Sequence, residues 1–218
     1  MPDIAKINNV AVADISKLDS ITFADGQKVN NQSVSLITEA HTLISTHTAS
    51  SSSSLDITSG IDSTYDIYEF RYENMHPQTG GSHWSFQVNA DGQLDFNETM
   101  TTTYFFARHN ESDSTASLAY GTGDDQAEGN AYQGLAHYVG ADNDQAASGI
   151  LQLYAPASTT YVKHFTVESL NAQHSDYSFR EMVAGYINTT SAIDEISFKF
   201  SSGNIDAGVI KMYGVAKS

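Results

Sequence analysis

Eight histidines and two oxygen-rich loops have the most chemical reach in this chain. The histidines, His41, His47, His76, His83, His109, His137, His164 and His174, show neither the i, i+4 pairing of a helical metal site nor the tight local clustering of zinc-binding motifs. Their spacing predicts solvent-face side chains and no metal centre. The loops are "GADNDQ", with Asp142, Asn143 and Asp144, and "GTGDDQAEGN", with Asp124, Asp125 and Glu128. Oxygen ligands so placed could hold calcium, but neither loop has the spaced ligands and closing bidentate glutamate of an EF-hand. Turn formation is the preferred role, calcium the secondary option, and no other cofactor is expected.

Catalytic signatures are missing as well. The sequence contains no G-x-S-x-G elbow, no P-loop and no dinucleotide-binding fingerprint. The adjacent carboxylates of Asp194 and Glu195 fall on opposite faces of a strand start, which is wrong for a shared acid–base task. A non-enzymatic protein is therefore expected. Aromatic rings supply the remaining candidates: Trp84, Tyr104, Tyr132 and Tyr138 are the side chains that could stack on sugar rings. With a single Trp in the chain, most such rings are needed for a core.

Strands must position these groups. Tyr68, Phe70 and Tyr72 alternate with Glu69, Arg71 and Glu73, the period of a half-buried strand. "HWSFQVN" repeats the pattern with Trp84, Phe86 and Val88, and "EISFKFS" with Ile196, Phe198 and Phe200. "YVKHFTV" is read with Tyr161, Phe165 and Val167 inside and Lys163 and His164 outside. Turn clusters rich in Gly, Asp and Asn separate these runs. Together with "TTTYFFAR", "TASLAYG", "GILQLYA", "EMVAGYI" and "VIKMYGV" they give about nine short strands, the signature of an antiparallel sandwich or barrel. One stretch, residues 130 to 140, could hold a helical turn.

The serine run "SSSSS" raises the question of a linker. Leu43, Ile44, Leu55 and Ile57 flank it, and a linker would leave them exposed. Residues 41 to 58 are therefore read as the first pair of strands, with the serines as a solvent-facing turn or edge. The expected organisation is an all-β, antiparallel β-sandwich of jelly-roll type over 36–218, preceded by an extended arm over 1–35. The arm contains a small hairpin signalled by Asp25-Gly26. Its apolar residues Ile4, Ile7, Val10, Val12, Ile15 and Leu18 are too few for a core of their own, so they predict an anchor buried against another chain.

Charge and composition narrow the partners. Ten Lys and Arg stand against 26 Asp and Glu, for a formal net charge of −16. Such acidity opposes nucleic acid and anionic membranes, because it removes the counterion-release drive of phosphate binding. Cysteine is absent, which excludes disulfides and thiolate metal sites. No run reaches the length of a membrane span, and the N-terminus lacks the basic start and apolar centre of a secretory signal. A soluble protein outside the general secretion route is expected.

Four segments carry a resemblance. The arm "IAKINNVAVADISKLDSITFADGQKV", the entry "LISTHTASSSSSLDITSGIDSTYDIYEF", the middle "DNDQAASGILQLYAPASTTYVKHF" and the ending "SGNIDAGVIKMYGV" resemble virion structural proteins of tailed bacteriophages, particularly those of marine bacteria. The resemblance implies a β-sandwich displayed on the exterior of the particle, as a capsid decoration or as a tail fibre or tip, held by its arm to capsid or tail proteins. A homotrimer is the expected assembly. The alternative function is a carbohydrate-binding module for a host surface glycan. No functional residue is implied beyond the arm.

Overall fold

Period-2 alternation becomes strand almost everywhere the chain carries it. The computed structural model describes residues 41–215 and four short strands before them: β1 (Lys6–Ile7), β2 (Val10–Ala11), β3 (Lys28–Val29) and β4 (Gln32–Ser33). These four belong to a unit spanning Met1–Glu39, and Ala40–Ser218 forms a second. In the first unit, β1 pairs with β2 and β3 with β4, both antiparallel. Ile7 and Val10 are partners in the first pair, while Ile4, Val12, Ile15 and Leu18 lie outside the described residues. So do Asp25 and Gly26, and the pairing nearest to the expected hairpin joins Lys28 to Ser33 and Val29 to Gln32.

The second unit is an all-β antiparallel sandwich, nearly closed into a barrel. Its strands are β5 (His41–Ser52), β6 (Leu55–Ile57), β7 (Ile67–Pro77), β8 (Ser82–Ala90), β9 (Met100–Asn110) and β10 (Ala116–Tyr120). After them come β11 (Gln133–Val139), β12 (Ala147–Tyr154), β13 (Lys163–Gln173), β14 (Tyr177–Ile187), β15 (Ile193–Phe200) and β16 (Ile205–Val215). A long layer runs β5-β16-β7-β12-β13-β14-β9-β10, and a short layer runs β11-β8-β15-β6. The pair Val139–Gln173 joins β11 to β13 and makes the two layers continuous.

Aromatic rings fill the space between the layers. Tyr72 of the long layer meets Trp84 of the short one at 6.2 Å between centroids, Phe70 meets Phe198 at 5.8 Å, and Phe86 meets Phe165 at 5.0 Å. Each such side chain stabilises the fold by roughly 1.5–3 kcal/mol when buried. Tyr68 adds a polar tip: its hydroxyl donates to Asp62, and burial, ahead of the Asp62 charge, pushes that phenol up to about 12.

Four expectations change. The serine run makes no hairpin, because β5 and β6 do not pair with each other: β5 pairs with β16 and β6 with β15. Ser50–Ser52 finish β5, with Ser51 at a φ of 51°, and the chain then passes to the other layer. The serines therefore form a corner, as a closing sandwich requires. Lys163 lies inside, not outside, because residues 163, 165 and 167 share one face of β13. Its ammonium donates to the backbone carbonyls of Thr189 and Ser191, and burial lowers its pKa. Tyr161, expected inside, is exposed. Residues 133–139 are strand β11 rather than a helical turn, but an irregular one. Its register slips between Gly134 and Ala136 and again before Val139, and Tyr138 sits at a φ of 56°.

Candidate metal centre

Alternation along β11 buries residues 133, 135, 137 and 139, and it turns His137 inward where β11 meets β14. Its backbone N–H donates to both carboxylate oxygens of Glu181, at 2.8 and 3.1 Å, and its Nδ1 lies 2.5 Å from Glu181 Oε2. Both residues are buried, Glu181 completely.

A carboxylate in a protein core is tolerated only when its oxygens are saturated with donors. Glu181 meets that demand. Besides His137, it accepts from the Tyr104 hydroxyl at 3.0 Å and from Asn171 Nδ2 at 3.2 Å. Asn171 Nδ2 also donates to the His137 carbonyl at 2.8 Å. Burial, followed by the Glu181 charge, pushes the Tyr104 phenol far above its ordinary value, so it serves only as a donor here. With Nδ1 engaged by Glu181, Nε2 is the ring nitrogen left for a ligand.

That nitrogen faces outward, toward Asp124 Oδ1 at 3.5 Å. Asp124 is carried by the 121–132 segment, which crosses from β10 to β11 and is pinned along its length. Gly121 N donates to Tyr104 O, Gln126 N donates to Thr102 Oγ1, and Gly129 bridges Met100. Gln133 Nε2 donates to the Asp124 carbonyl at 2.9 Å. His83 of β8 completes the group, its ring 4.7 Å from that of His137. Burial, then the neighbouring His137, lowers the pKa of His83, with Asp124 opposing. Gly134 permits the close approach, since a Cβ there would stand 2.3 Å from His137 Nε2.

His83, Asp124 and His137 thereby place three ligand atoms within 4.8 Å of one another. They line a cleft of about 300 Å³ whose other walls include Tyr132, Gln126 and Lys199. Two imidazoles and a carboxylate beside an open cleft can hold a borderline-soft divalent ion with a coordination position to spare.

The residues singled out in the sequence fare unevenly. The histidines were expected to stay apart, and the fold corrects this by joining His83 to His137 across neighbouring strands. Of the oxygen-rich loops, "GTGDDQAEGN" contributes Asp124 to the group, while Asp125 accepts from the Tyr120 hydroxyl at 2.6 Å. Asp142 and Asp144 border a wider depression of about 700 Å³, and no cluster of three such ligands forms there among the described residues. Trp84 and Tyr104 are corrected as sugar-stacking candidates, since both are buried in the interior. Tyr132 rims the cleft with the Lys199 ammonium 3.9 Å from its ring centre, and Tyr138 is 42% exposed beside His83. Glu181 was overlooked, although "SFREMVA" carries a signal: Phe179, Glu181 and Val183 share one face of β14, so an acid stands on an apolar face. His137 carries a comparable signal, since it alternates with Leu135 and Val139, both buried.

No family model, no curated protein and no solved structure matches the chain.

Proposed function

We propose that this chain is a non-enzymatic structural protein displayed on the exterior of a bacteriophage particle, as a capsid decoration or a tail fibre or tip component. In this reading it assembles as a homotrimer and attaches through Ile4, Ile7, Val10, Val12, Ile15 and Leu18 of its N-terminal unit. The resemblance of its arm, entry, middle and ending to virion structural proteins motivates the reading, and one surface feature supports it most. On the outer face of the long layer, Tyr120, Phe105 and Met182 stand in register across β10, β9 and β14, and Ile150 of β12 lies in the same row beyond Glu168 of β13. Leu118, 75% exposed, and Leu170 lie in the adjoining row. Glu168 in the first row and Arg180 in the second pair with each other at 2.7 Å. An apolar band interrupted only by a mutually paired Glu and Arg, on a chain of net charge −16, supports a contact surface rather than a solvated one, and its occupant in this reading is a second copy of the chain in a cyclic assembly.

Light scattering on the full chain at high micromolar concentration is expected to give three times the chain mass. Phe105→Glu, a change at an exposed position, is expected to leave the circular dichroism unchanged and give a monomer. A monomeric wild type, or a trimer indifferent to the substitution, contradicts the reading.

A carbohydrate-binding module is the second reading. The cleft with Tyr132 on its rim and Tyr138 exposed beside it favours it, and it is compatible with the first if the particle meets a host glycan through this face. A glycan array tests it, with binding expected to fall in Tyr138→Ala.

A further inference from the structure

We propose that His83, Asp124 and His137 form a binding site for one divalent transition-metal ion, best fitted by zinc, with its remaining coordination position open to the cleft. This inference stands independently of the particle assignment.

Ligand chemistry selects the ion. Calcium and magnesium take oxygen ligands, whereas two imidazoles with one carboxylate suit zinc and its neighbours in the first transition row. Geometry agrees. On a tetrahedral ion with bonds of about 2.1 Å, ligand atoms stand about 3.4 Å apart, and the His137 Nε2 to Asp124 Oδ1 separation is 3.5 Å. All three ligand atoms lie within 4.8 Å, so a small inward movement of the His83 ring closes the set.

The surroundings fit a metal better than a simple polar cluster. Metal-bound histidines give their other ring nitrogen to a carboxylate, which fixes the tautomer and raises the basicity of the ligating atom. His137 does this with Glu181, a residue itself held by Tyr104 and Asn171. Such an investment in orienting one imidazole is costly in a core, and its product is a ring whose Nε2 is aimed at Asp124. Asp124 is likewise restrained before any ion arrives, by Gln133 on its carbonyl and by its own N–H on Gly121 O. Preorganised ligands on rigid supports lower the ordering cost of binding. The three come from β8, the 121–132 segment and β11, so an ion would clasp that segment to the short layer. Three protein ligands leave at least one position for water or a small donor entering past Lys199 and Tyr132.

The test uses the full chain stripped with a chelator and titrated calorimetrically with zinc chloride alone. One ion per chain is expected, at micromolar affinity or tighter. His83→Ala and Asp124→Asn, both at partly exposed positions, are each expected to weaken binding at least tenfold while melting like the wild type in the ion's absence. His164→Ala, on the exposed side of β13, is expected to bind normally. Cobalt(II) added to the wild type needs no variant: the intense visible bands of a four-coordinate ion are expected. Absence of stoichiometric zinc binding overturns the proposal. So does zinc binding retained by both ligand variants, or a cobalt spectrum no different from that of the aqueous ion.

Discussion

Glu181→Ala is expected to destabilise the sandwich by about 3–5 kcal/mol, the scale on which removing one member of a buried polar pair acts. The substitution strands the His137 backbone N–H and ring, the Tyr104 hydroxyl and an Asn171 N–H at one stroke. Water cannot easily reach them, because Tyr104, His137 and Glu181 are all buried. Each orphaned donor costs about 1–3 kcal/mol, and the sum is tempered where side chains can turn to other partners. Against a typical domain stability of about 5–15 kcal/mol, the loss is a large share. Urea unfolding in chelator, with unchanged slope, measures it. Glu181→Gln is expected to fall between the two, because the amide keeps one acceptor oxygen while presenting an N–H to neighbours that are themselves donors. A loss under about 1 kcal/mol in the alanine variant would show that the carboxylate does not organise this seam.

On the proposed virion role, removing residues 1 to 39 has a different expected result: a folded sandwich that no longer enters particles. The core among the described residues is drawn from Ala49 through Met212, and all its strands lie in the Ala40–Ser218 unit. The truncated chain should therefore melt close to the full one. Ile4, Ile7, Val10, Val12, Ile15 and Leu18 would each contribute roughly 1–3 kcal/mol if buried against a particle protein, and near zero in water. Repeated around a symmetric assembly, these contacts give an avidity that the truncated chain lacks. Incorporation is expected to drop by at least a hundredfold. A truncated chain that aggregates or melts much lower would mean that the arm completes its own sandwich. A stable truncated chain that still incorporates would remove the anchor.

How much of this was legible in the sequence depends on the range of the interaction. Phe70, Trp84, Phe165 and Phe198 announce themselves as core by alternation alone, and all four are buried. That rule is local, since successive side chains on any strand take opposite faces. The same rule, applied consistently, places Lys163 with Phe165 on the inner face. A lysine there is discounted on composition, and only the Thr189 and Ser191 carbonyls make it acceptable. The serine run was legible as β-structure but not as a corner, because the partners of β5 and β6 are the last strands of the chain. The candidate metal site was least legible. His83 and His137 become neighbours only through the long-range pairing of β8 with β11, although alternation with Leu135 and Val139 already places His137 on the inner face. Glu181 was the readable clue, since an acid at an inward position requires buried donors somewhere in the fold.

Immunogold labelling of intact, purified particles of the phage proposed to carry this chain, using antibody raised against the Ala40–Ser218 unit, addresses the proposed function most directly. Gold on the outside of unopened particles, at sites repeated with three-fold multiplicity and lost when residues 1 to 39 are deleted, is the expected result. Particles that carry no label before or after disruption, and no trace of the chain by mass spectrometry, would contradict it.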